Sequence, residues 1–471
     1  MMGWRSWRTL RQAQGDGVAE PPAVRYDLAV IGSGQGGVPL ALDFAKRGKR
    51  VVLFERGDLG GCCVNVGCTP SKAFLASAHM AGRARRASDV HVHCDVRPDV
   101  SAIMERVRGV IGEWRSGVED HFKKSSCELV RAEASFDAPH VLRANGTAYE
   151  ADVVVLDTGT RANVPPLDGL AGTPYLTNEN FFLQPALPKK LIVLGSGYVG
   201  LELGQGAARL GSEVTVVTPD DRLLAREELD VCSVLTTSFE RDGIHTLLNR
   251  RATKVAHDAG TFTVTLNDGT TLTGDGLLVA VGRKPNVPDG TTDRAGIALD
   301  KRGFIQCDEH LQTSIADHYA MGDVAGQPQF THVSWEDFRR LRAIVAGDRS
   351  RTRSDRTLGY AMYTEPQLGR AGITADQAQE RGIAHRVVTL QLTDVARGSE
   401  WGLADGFFRL VVDPRTDAIL GATFAGYEAG ELIHVIIAHM EAGSTWRVLE
   451  RSVHIHPTFG EGLPSLARLL L

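Results

Sequence analysis

The 471-residue sequence has no long hydrophobic run, since no apolar stretch approaches the roughly 20 residues that cross a bilayer. It also lacks an excess of basic charge: 52 Lys and Arg stand against 57 Asp and Glu, for a formal net charge of -5. A nucleic-acid-binding protein usually carries a basic surface, which this balance does not favour. We therefore expect no membrane span and no nucleic-acid partner.

The first 23 residues lack the apolar segment of a secretory signal, although they carry Arg5, Arg8 and Arg11. We interpret residues 1–23 as a tail without an assigned function and expect a cytoplasmic protein. Cysteine is scarce and odd in number, and seven cysteines in a long chain without a signal argue against a structural disulfide framework. Three of the seven nevertheless cluster in GGCCVNVGCTPSK, residues 60–72.

Two of the clustered thiols, Cys63 and Cys68, form a C-x4-C pair without the second ligand pair that zinc requires, so we predict no metal site. The dipeptide Thr69-Pro70 predicts a helix N-cap followed by the first helical position. Cys68 then lies just ahead of a helix N-terminus, whose positive end, together with Lys72, lowers the pKa of the thiol. A low-pKa thiol beside a second thiol favours a redox disulfide.

A dinucleotide-binding pattern opens the sequence after the tail. The apolar run YDLAVI, residues 26–31, is followed by a glycine turn, a helical segment and a second apolar run. Gly32, Gly34 and Gly37 fit G-x-G-x-x-G, and Glu55 ends the second strand near the spacing of a ribose-binding carboxylate. This context favours a dinucleotide site over an ordinary glycine turn.

The same pattern recurs in residues 191–217, with Gly195, Gly197 and Gly200 between two apolar strands. Two such units in one chain indicate a flavin and a nicotinamide, with one cofactor bound by each. The predicted fold is α/β, with the second Rossmann-like unit inserted in the first and a C-terminal α+β domain. The predicted bounds are 24–163 with 289–352 for the first unit, 164–288 for the second and 353–471 for the third.

The cysteine segment resembles the active-site signature of the class I flavoprotein disulfide reductases, the family of lipoamide dehydrogenase, glutathione reductase and mercuric reductase. The resemblance also covers GRKPN at residues 282–286, TSIADHYAMGDVAG at residues 313–326 and HPTFGE near the C-terminus. It implies that the first domain binds FAD, the second binds NAD or NADP, and the third forms the interface of a homodimer.

The resemblance also implies roles for individual residues. Cys63 is expected to be the interchange thiol and Cys68 the charge-transfer thiol, with Lys72 near the flavin and paired with Glu202. Tyr198 matches a residue that gates nicotinamide access, but packing behind the glycine loop explains it equally well. The expected FAD residues are Gly32, Gly34, Gly37, Glu55, Gly159 and Asp323, and the expected NAD(P) residues are Gly195, Gly197, Tyr198, Gly200, Gly282 and Arg283.

Two readings apply to HIHPTFGE. Thr458 and Glu461 fit a capping box for a C-terminal helix. A histidine is also a suitable acid for protonating a departing thiolate, and a carboxylate orients its ring. The family resemblance favours catalysis by His456 and Glu461, which are expected to reach the active site of the other subunit.

The implied function is electron transfer from NAD(P)H through FAD to a Cys63–Cys68 disulfide and on to a small disulfide, most like dihydrolipoamide dehydrogenase. NADPH is expected to be at least accepted, because Arg222 can meet a 2′-phosphate although Asp220 and Asp221 oppose it.

The alternative function is that of an Hg(II) or Cu(II) reductase of the mercuric-reductase-like subgroup. Cys62, where most relatives have threonine, is read as a small replacement rather than a soft-metal ligand. A flavin-binding redox sensor is a third reading, disfavoured by the complete catalytic set.

Overall fold

The computed structural model describes residues 24–471, so the predicted tail of residues 1–23 lies outside the described residues. The first part of the chain forms a dinucleotide-binding unit. Its elements, in chain order, are β1 (Val24–Ile31), α1 (Gly37–Lys46), β2 (Val51–Phe54), α2 (Gly61–Asn65), α3 (Cys68–Arg85), α4 (Val100–Lys123), β3 (Glu128–Val130), β4 (Ser135–Ala138), β5 (Val141–Ala144), β6 (Thr147–Leu156) and β7 (Thr160–Ala162).

The second unit and the return to the first follow. The second unit contains β8 (Lys190–Leu194), α5 (Tyr198–Arg209), β9 (Glu213–Val217), α6 (Leu229–Arg241), β10 (His245–Leu247), β11 (Ala252–Asp258), β12 (Thr261–Leu266), β13 (Thr271–Gly274), β14 (Gly276–Val279) and β15 (Arg283–Pro285). The return comprises β16 (His318–Ala320) and α7 (Thr331–Val345). Strand β15 pairs antiparallel with β7, where the chain leaves and re-enters the first unit.

The C-terminal part combines strands and helices. Its elements are β17 (Gly359–Met362), β18 (Gln367–Gly372), α8 (Ala375–Glu380), β19 (Arg386–Gln391), α9 (Ala396–Trp401), β20 (Phe407–Val412), β21 (Ile419–Gly426), α10 (Ala429–Glu441), α11 (Trp446–Arg451) and α12 (Gly462–Arg468). The strands form an antiparallel sheet in the order β17-β18-β21-β20-β19. The helices α10 and α12 bury apolar faces against it.

The strand order confirms the predicted fold class. In the first sheet β3, β2, β1, β6 and β16 run parallel, and β6 continues into an antiparallel meander with β5 and β4. The turn between β5 and β6 is Asn145-Gly146, with both residues at positive φ as an Asn-Gly hairpin turn requires. The second sheet is parallel in the order β10-β9-β8-β14. None of the helices within residues 24–471 is long and apolar enough to cross a membrane.

Helices α3 and α5 pack closely, which brings the two dinucleotide units together. The ring of Phe74 on α3 is fully buried and occupies the space beside Gly206 of α5, where a side chain would collide with it. Leu75 and Leu201 belong to the same apolar cluster. Lys72 of α3 and Glu202 of α5 are each the fifth residue of their helix and lie 2.7 Å apart, so the two amino-terminal ends are side by side.

Candidate active site

The two thiols of the C-x4-C pair lie on consecutive helices, Cys63 within α2 and Cys68 as the first residue of α3. Both are free thiols, and Cys63 donates a hydrogen bond to Cys68. The Sγ atom of Cys68 is also 3.1 Å from Oγ1 of Thr331, the first residue of α7. The pair therefore sits where three helices meet.

Hydrogen bonding shifts the pKa values of the two thiols in opposite directions, with Cys63 as the donor and Cys68 as the acceptor. The hydrogen bond from Cys63, followed by that of Thr331 and the charge of Lys72, lowers the pKa of Cys68 to about 6, although desolvation of the thiol within the cavity opposes the shift. The hydrogen bond to Cys68 and burial raise the pKa of Cys63 far above its usual range. The pair loses its first proton as a unit, and the negative charge then resides on Cys68.

The predicted N-cap at Thr69 is wrong. Helix α3 begins two residues earlier than expected, with Gly67 as its N-cap at φ -124 and ψ -115. Glycine tolerates this non-helical backbone, and its carbonyl oxygen accepts hydrogen bonds from the N–H and hydroxyl groups of Ser71 at 3.1 and 2.6 Å. Cys68 consequently lies inside the first turn, at the positive end of the helix.

Lys72 and Glu202 form the ion pair that the family resemblance implies. Lys72 Nζ donates to Glu202 Oε2 at 2.7 Å, and Glu202 Oε1 accepts from the backbone N–H of Tyr363 at 2.8 Å. Burial lowers the pKa of Lys72, but the carboxylate of Glu202 outweighs it, so the net shift is upward. Lys72 therefore stays charged, and its charge acts on Cys68.

A single cavity of about 1290 Å³ runs from the end of β2 to the thiols. This volume exceeds the roughly 300–1,000 Å³ of an ordinary small-ligand pocket. The predicted flavin residues in its wall are Gly32, Gly34, Glu55, Gly159 and Asp323. Its other end is lined by Cys63, Cys68, Lys72 and Glu202.

Two carboxylates of the cavity are held by neighbouring hydroxyl groups. Glu55 Oε2 accepts from the backbone N–H and the hydroxyl of Ser33, at 2.9 and 2.7 Å. Asp323 Oδ2 accepts from the hydroxyl of Thr160 at 2.6 Å. Burial raises the pKa of Asp323, although Thr160 and Arg283 oppose the rise.

The predicted nicotinamide residues divide into two groups. Tyr198 and Arg283 line the cavity, whereas Gly195, Gly197, Gly200 and Gly282 lie outside the lining formed by the described residues. Tyr198 begins α5, and its hydroxyl donates to Glu227 Oε1 at 2.5 Å. Its ring centroid is 6.1 Å from that of Phe330 and 6.0 Å from that of Tyr360. Tyr198 therefore both lines the cavity and packs, so its role as a gate stays a prediction.

Arg283 lies beside residues of the first unit rather than beside the second glycine loop. Its Nε donates to Oγ1 of Thr160 at 2.7 Å, and its Nη2 donates to Sγ of Cys62 at 3.3 Å. Burial raises the pKa of Cys62, although the charge of Arg283 opposes the rise. Across residues 24–471, no group of three or more His, Cys, Asp or Glu side chains is placed to hold a metal ion.

The end of β9 carries the residues that bear on the choice between NADH and NADPH. Thr218 is buried, and its Oγ1 is 2.9 Å from the hydroxyl oxygen of Ser196. Arg222 donates to Asp221 at 3.0 Å and to the carbonyl oxygen of Ala225 at 3.1 Å. The arginine is thus already paired, and the preference for NADPH stays a prediction.

His456 and Glu461 form a hydrogen-bonded pair near the C-terminus, with His456 Nδ1 2.7 Å from Glu461 Oε2. The hydroxyl of Thr458 accepts from the backbone N–H of Glu461 at 3.2 Å, which is half of a capping box. The carboxylate of Glu461 turns to the histidine instead of completing that box. The side chain of His456 is 73% exposed and does not line the thiol cavity of its own chain.

Comparison with known proteins identifies the family. The model described as pyridine nucleotide-disulphide oxidoreductase matches residues 26–337, and the model of that family's dimerisation domain matches residues 359–467. The chain belongs to the pyridine nucleotide-disulphide oxidoreductase family. This match confirms the resemblance seen in the sequence and indicates that the oxidoreductase is an enzyme that forms a homodimer.

Relatives of this oxidoreductase carry different names at similar identity. Dihydrolipoyl dehydrogenase of Thermus scotoductus is 31% identical, over 94% of this chain and 97% of its own length. Mercuric reductase of Shewanella putrefaciens is 33% identical, over 94% of this chain and 80% of its own length. A structure of the HOCl-induced flavoprotein disulfide reductase RclA from Escherichia coli, as a Cu(II) complex, superposes with a TM-score of 0.86 at 29% identity, over 94% and 99% of the two chains.

Members of the family use FAD and NAD(P)H, and the residues of this oxidoreductase fit FAD. At Gly32 a Cβ atom would collide with the carbonyl oxygen of Asp157, so only glycine lets the first loop approach β6. Residues 32–35, which lead into α1, line the cavity where a pyrophosphate would bind, whereas Gly37 lies outside that lining. Glu55 would hold the adenosine ribose, and Asp323 the opposite end of the dinucleotide.

Sequence reasoning missed three residues that touch the predicted site. Thr331 contacts Cys68, Tyr363 holds Glu202, and Asp157 accepts a hydrogen bond from the N–H of Gly37 at 2.7 Å. The first two lie far along the chain from their partners, so no local pattern marks them. Asp157 did leave a signal, because a carboxylate interrupts the apolar strand end VVVLDTGT beside the glycine segment.

Proposed function

We propose that this oxidoreductase passes electrons from NAD(P)H to a small disulfide of the lipoamide class by way of Cys63 and Cys68. The observation that carries the proposal is the placement of the thiol pair, with Cys68 at the start of α3 and 3.1 Å from Thr331, a setting that lowers the pKa of Cys68 and raises that of Cys63. When bound, FAD would supply the chemistry that links hydride transfer from the nicotinamide to two-electron reduction of the Cys63–Cys68 disulfide. The protein residues hold and exchange the protons.

The thiol chemistry balances with one proton on the pair. Cys63 loses its proton and attacks one sulfur of the substrate disulfide, which breaks the S–S bond and releases the first thiolate. Cys68 then attacks Sγ of Cys63 in the mixed disulfide, which forms the Cys63–Cys68 disulfide and releases the second thiolate. Two electrons leave the dithiol, and the two product thiols take one proton from Cys63 and one from solvent.

His456 is the proposed carrier of the first proton. Its Nδ1 is hydrogen-bonded to Glu461. Its Nε2 is therefore the atom that takes the proton of Cys63 and returns it to the leaving thiolate. The exposed position of His456, outside the thiol cavity of its own chain, supports delivery from the partner subunit. Each active site is then completed by the other copy of the chain.

The first test is anaerobic reduction of the holoenzyme by NADPH or NADH, followed by addition of lipoamide, glutathione disulfide, Hg(II) or Cu(II). We expect rapid reoxidation of the flavin by lipoamide. In His456→Ala, turnover with that disulfide should fall by about 10²–10⁴-fold while flavin reduction by the nicotinamide is unchanged. His454→Ala, two residues away, is the matched control, and normal turnover in His456→Ala would refute the assignment.

Metal-ion reduction is the second candidate. The similarity to RclA, solved as a Cu(II) complex, supports it. One reduced pair would convert two Cu(II) ions to Cu(I), closing the Cys63–Cys68 disulfide with loss of its remaining proton. Cys62 Sγ accepts a hydrogen bond from Arg283, which argues against a role as a metal ligand. We therefore expect Cys62→Thr to leave Cu(II) reduction unchanged. A loss confined to metal reduction would favour this candidate.

A further inference from the structure

A buried carboxyl group lies against the first glycine loop. Asp157 follows β6 directly and is 6% exposed. Its Oδ2 accepts from the N–H of Gly37 at 2.7 Å, and its Oδ1 is 3.2 Å from the hydroxyl oxygen of Ser334. A Cβ atom at Gly34 would lie only 2.6 Å from Oδ2. The carboxyl group thus fills the space behind the loop that faces the pyrophosphate.

The second dinucleotide unit shows that such a loop does not need a carboxyl group. Gly195 approaches the carbonyl oxygen of Ala280 in the same way that Gly32 approaches that of Asp157. A Cβ atom at Gly200 would meet the methyl group of Ala280 at 3.3 Å. The same backbone position therefore carries alanine in one unit and aspartate in the other, and Asp157 is an addition particular to the FAD unit.

The charge of Asp157 matters because FAD is itself an anion at this place. The N–H groups at the amino-terminal end of α1 and the positive end of its dipole are what bind a pyrophosphate. An ionised Asp157 takes the N–H of Gly37 and places a like charge behind the same loop. A protonated Asp157 keeps that hydrogen bond through Oδ2 and donates from Oδ1 to Ser334, without the repulsion.

The surroundings of Asp157 favour the protonated form. Burial raises its pKa to about 8, against the hydrogen bonds from Gly37 and Ser334. Asp323, from the turn after β16, and Asp337, from α7, both raise the pKa of Asp157, and they are themselves paired with Arg283 and Arg356. The glycine loop packed on its other side carries no charge between Gly32 and Gly37.

We propose that Asp157 is a positioning residue that couples FAD binding to a proton: the protonated side chain is part of the FAD-bound state, and its ionisation weakens FAD binding. The sign follows from linkage. Below the pKa of the free protein both states are protonated and affinity does not change with pH. Above it, binding of FAD takes up one proton, so the dissociation constant rises up to about tenfold per pH unit.

The test measures FAD release from the holoprotein by the fluorescence of free flavin, over two pH units on each side of the midpoint. In the wild type we expect a constant dissociation constant below about pH 8 and a rise above it. Asp157→Asn keeps an acceptor for Gly37 and cannot ionise, so its FAD affinity should match the low-pH wild type at every pH. Asp152→Asn, exposed on the same β6, should keep the wild-type profile.

Two outcomes would overturn the proposal. If Asp157→Asn binds FAD weakly even at low pH, an ionised carboxylate is required. If it keeps the wild-type rise, another group titrates. Should the asparagine variant fail to fold, Asp157→Ala reproduces the Ala280 arrangement of the second unit. It is expected to bind FAD without the rise above about pH 8.

Discussion

The hydroxyl group of Thr331 offers the sharpest test of how the thiol pair is controlled. Thr331 lies 263 positions from Cys68 along the chain, and its Oγ1 is 3.1 Å from the sulfur. Thr331→Val removes the hydroxyl group and keeps the shape of the side chain. Because the hydroxyl stabilises the thiolate, we expect the pKa of Cys68 to rise from about 6.

The magnitude follows from the energy of a hydrogen bond to a charged acceptor. Such a bond contributes about 1.5–3 kcal/mol, or about 1–2 pKa units at about 1.36 kcal/mol per unit. Cys68 is exposed to the cavity, so water replaces part of the lost bond and the lower value applies. At pH 7 a shift of about one unit lowers the thiolate fraction from about 90% to about half.

The assay is a pH titration of the ultraviolet thiolate absorbance of the reduced protein, with Cys68→Ser as the blank. The long-wavelength charge-transfer absorbance of the reduced holoenzyme is the second readout. Thr331→Ser retains a hydroxyl group and should titrate close to the wild type. If Thr331→Val and Thr331→Ser share the wild-type midpoint, the hydroxyl does not stabilise the thiolate and the reasoning fails.

Two further changes test the charges around the site. Glu202→Gln removes a carboxylate that raises the pKa of Cys68, so the same titration should show a lower midpoint, and a higher one would contradict the geometry. Arg370→Met leaves the buried carboxylate of Glu227 without the cation 2.8 Å away. We expect a loss of about 3–5 kcal/mol in the free energy of unfolding of the holoprotein by denaturant. A loss below about 1 kcal/mol would mean that tyrosine hydroxyl groups suffice for Glu227.

Local patterns allowed much of the architecture to be predicted. The glycine segments beginning at Gly32 and Gly195 predicted two dinucleotide units. The first glycine of each segment adopts a positive φ, a local requirement that the sequence shows directly. The Asn145-Gly146 turn was predictable for the same reason. The start of α3 was missed by two residues, because the cap preference of Thr69 and the position of Pro70 pointed to a later start than the folded backbone adopts at Gly67.

The two readings of Glu461 show where local reasoning ends. Spacing alone allowed either a capping box with Thr458 or a pair with His456. Both partners are within five residues, so spacing could not rank them, and only the family resemblance favoured the pair with His456. In the structure the backbone N–H of Glu461 donates to the hydroxyl of Thr458, and its carboxylate pairs with His456. Both contacts form because the two groups point in different directions.

By itself the sequence determined the two nucleotide units and marked the thiol cluster as a candidate site, since each depends on residues close together in the chain. Only the tertiary structure decided what surrounds those residues. It brought Thr331 to Cys68, Tyr363 to Glu202 and Arg283 to Cys62 across 263, 161 and 221 positions. Such contacts leave no periodicity in the sequence, because they exist only where separately folded elements pack together.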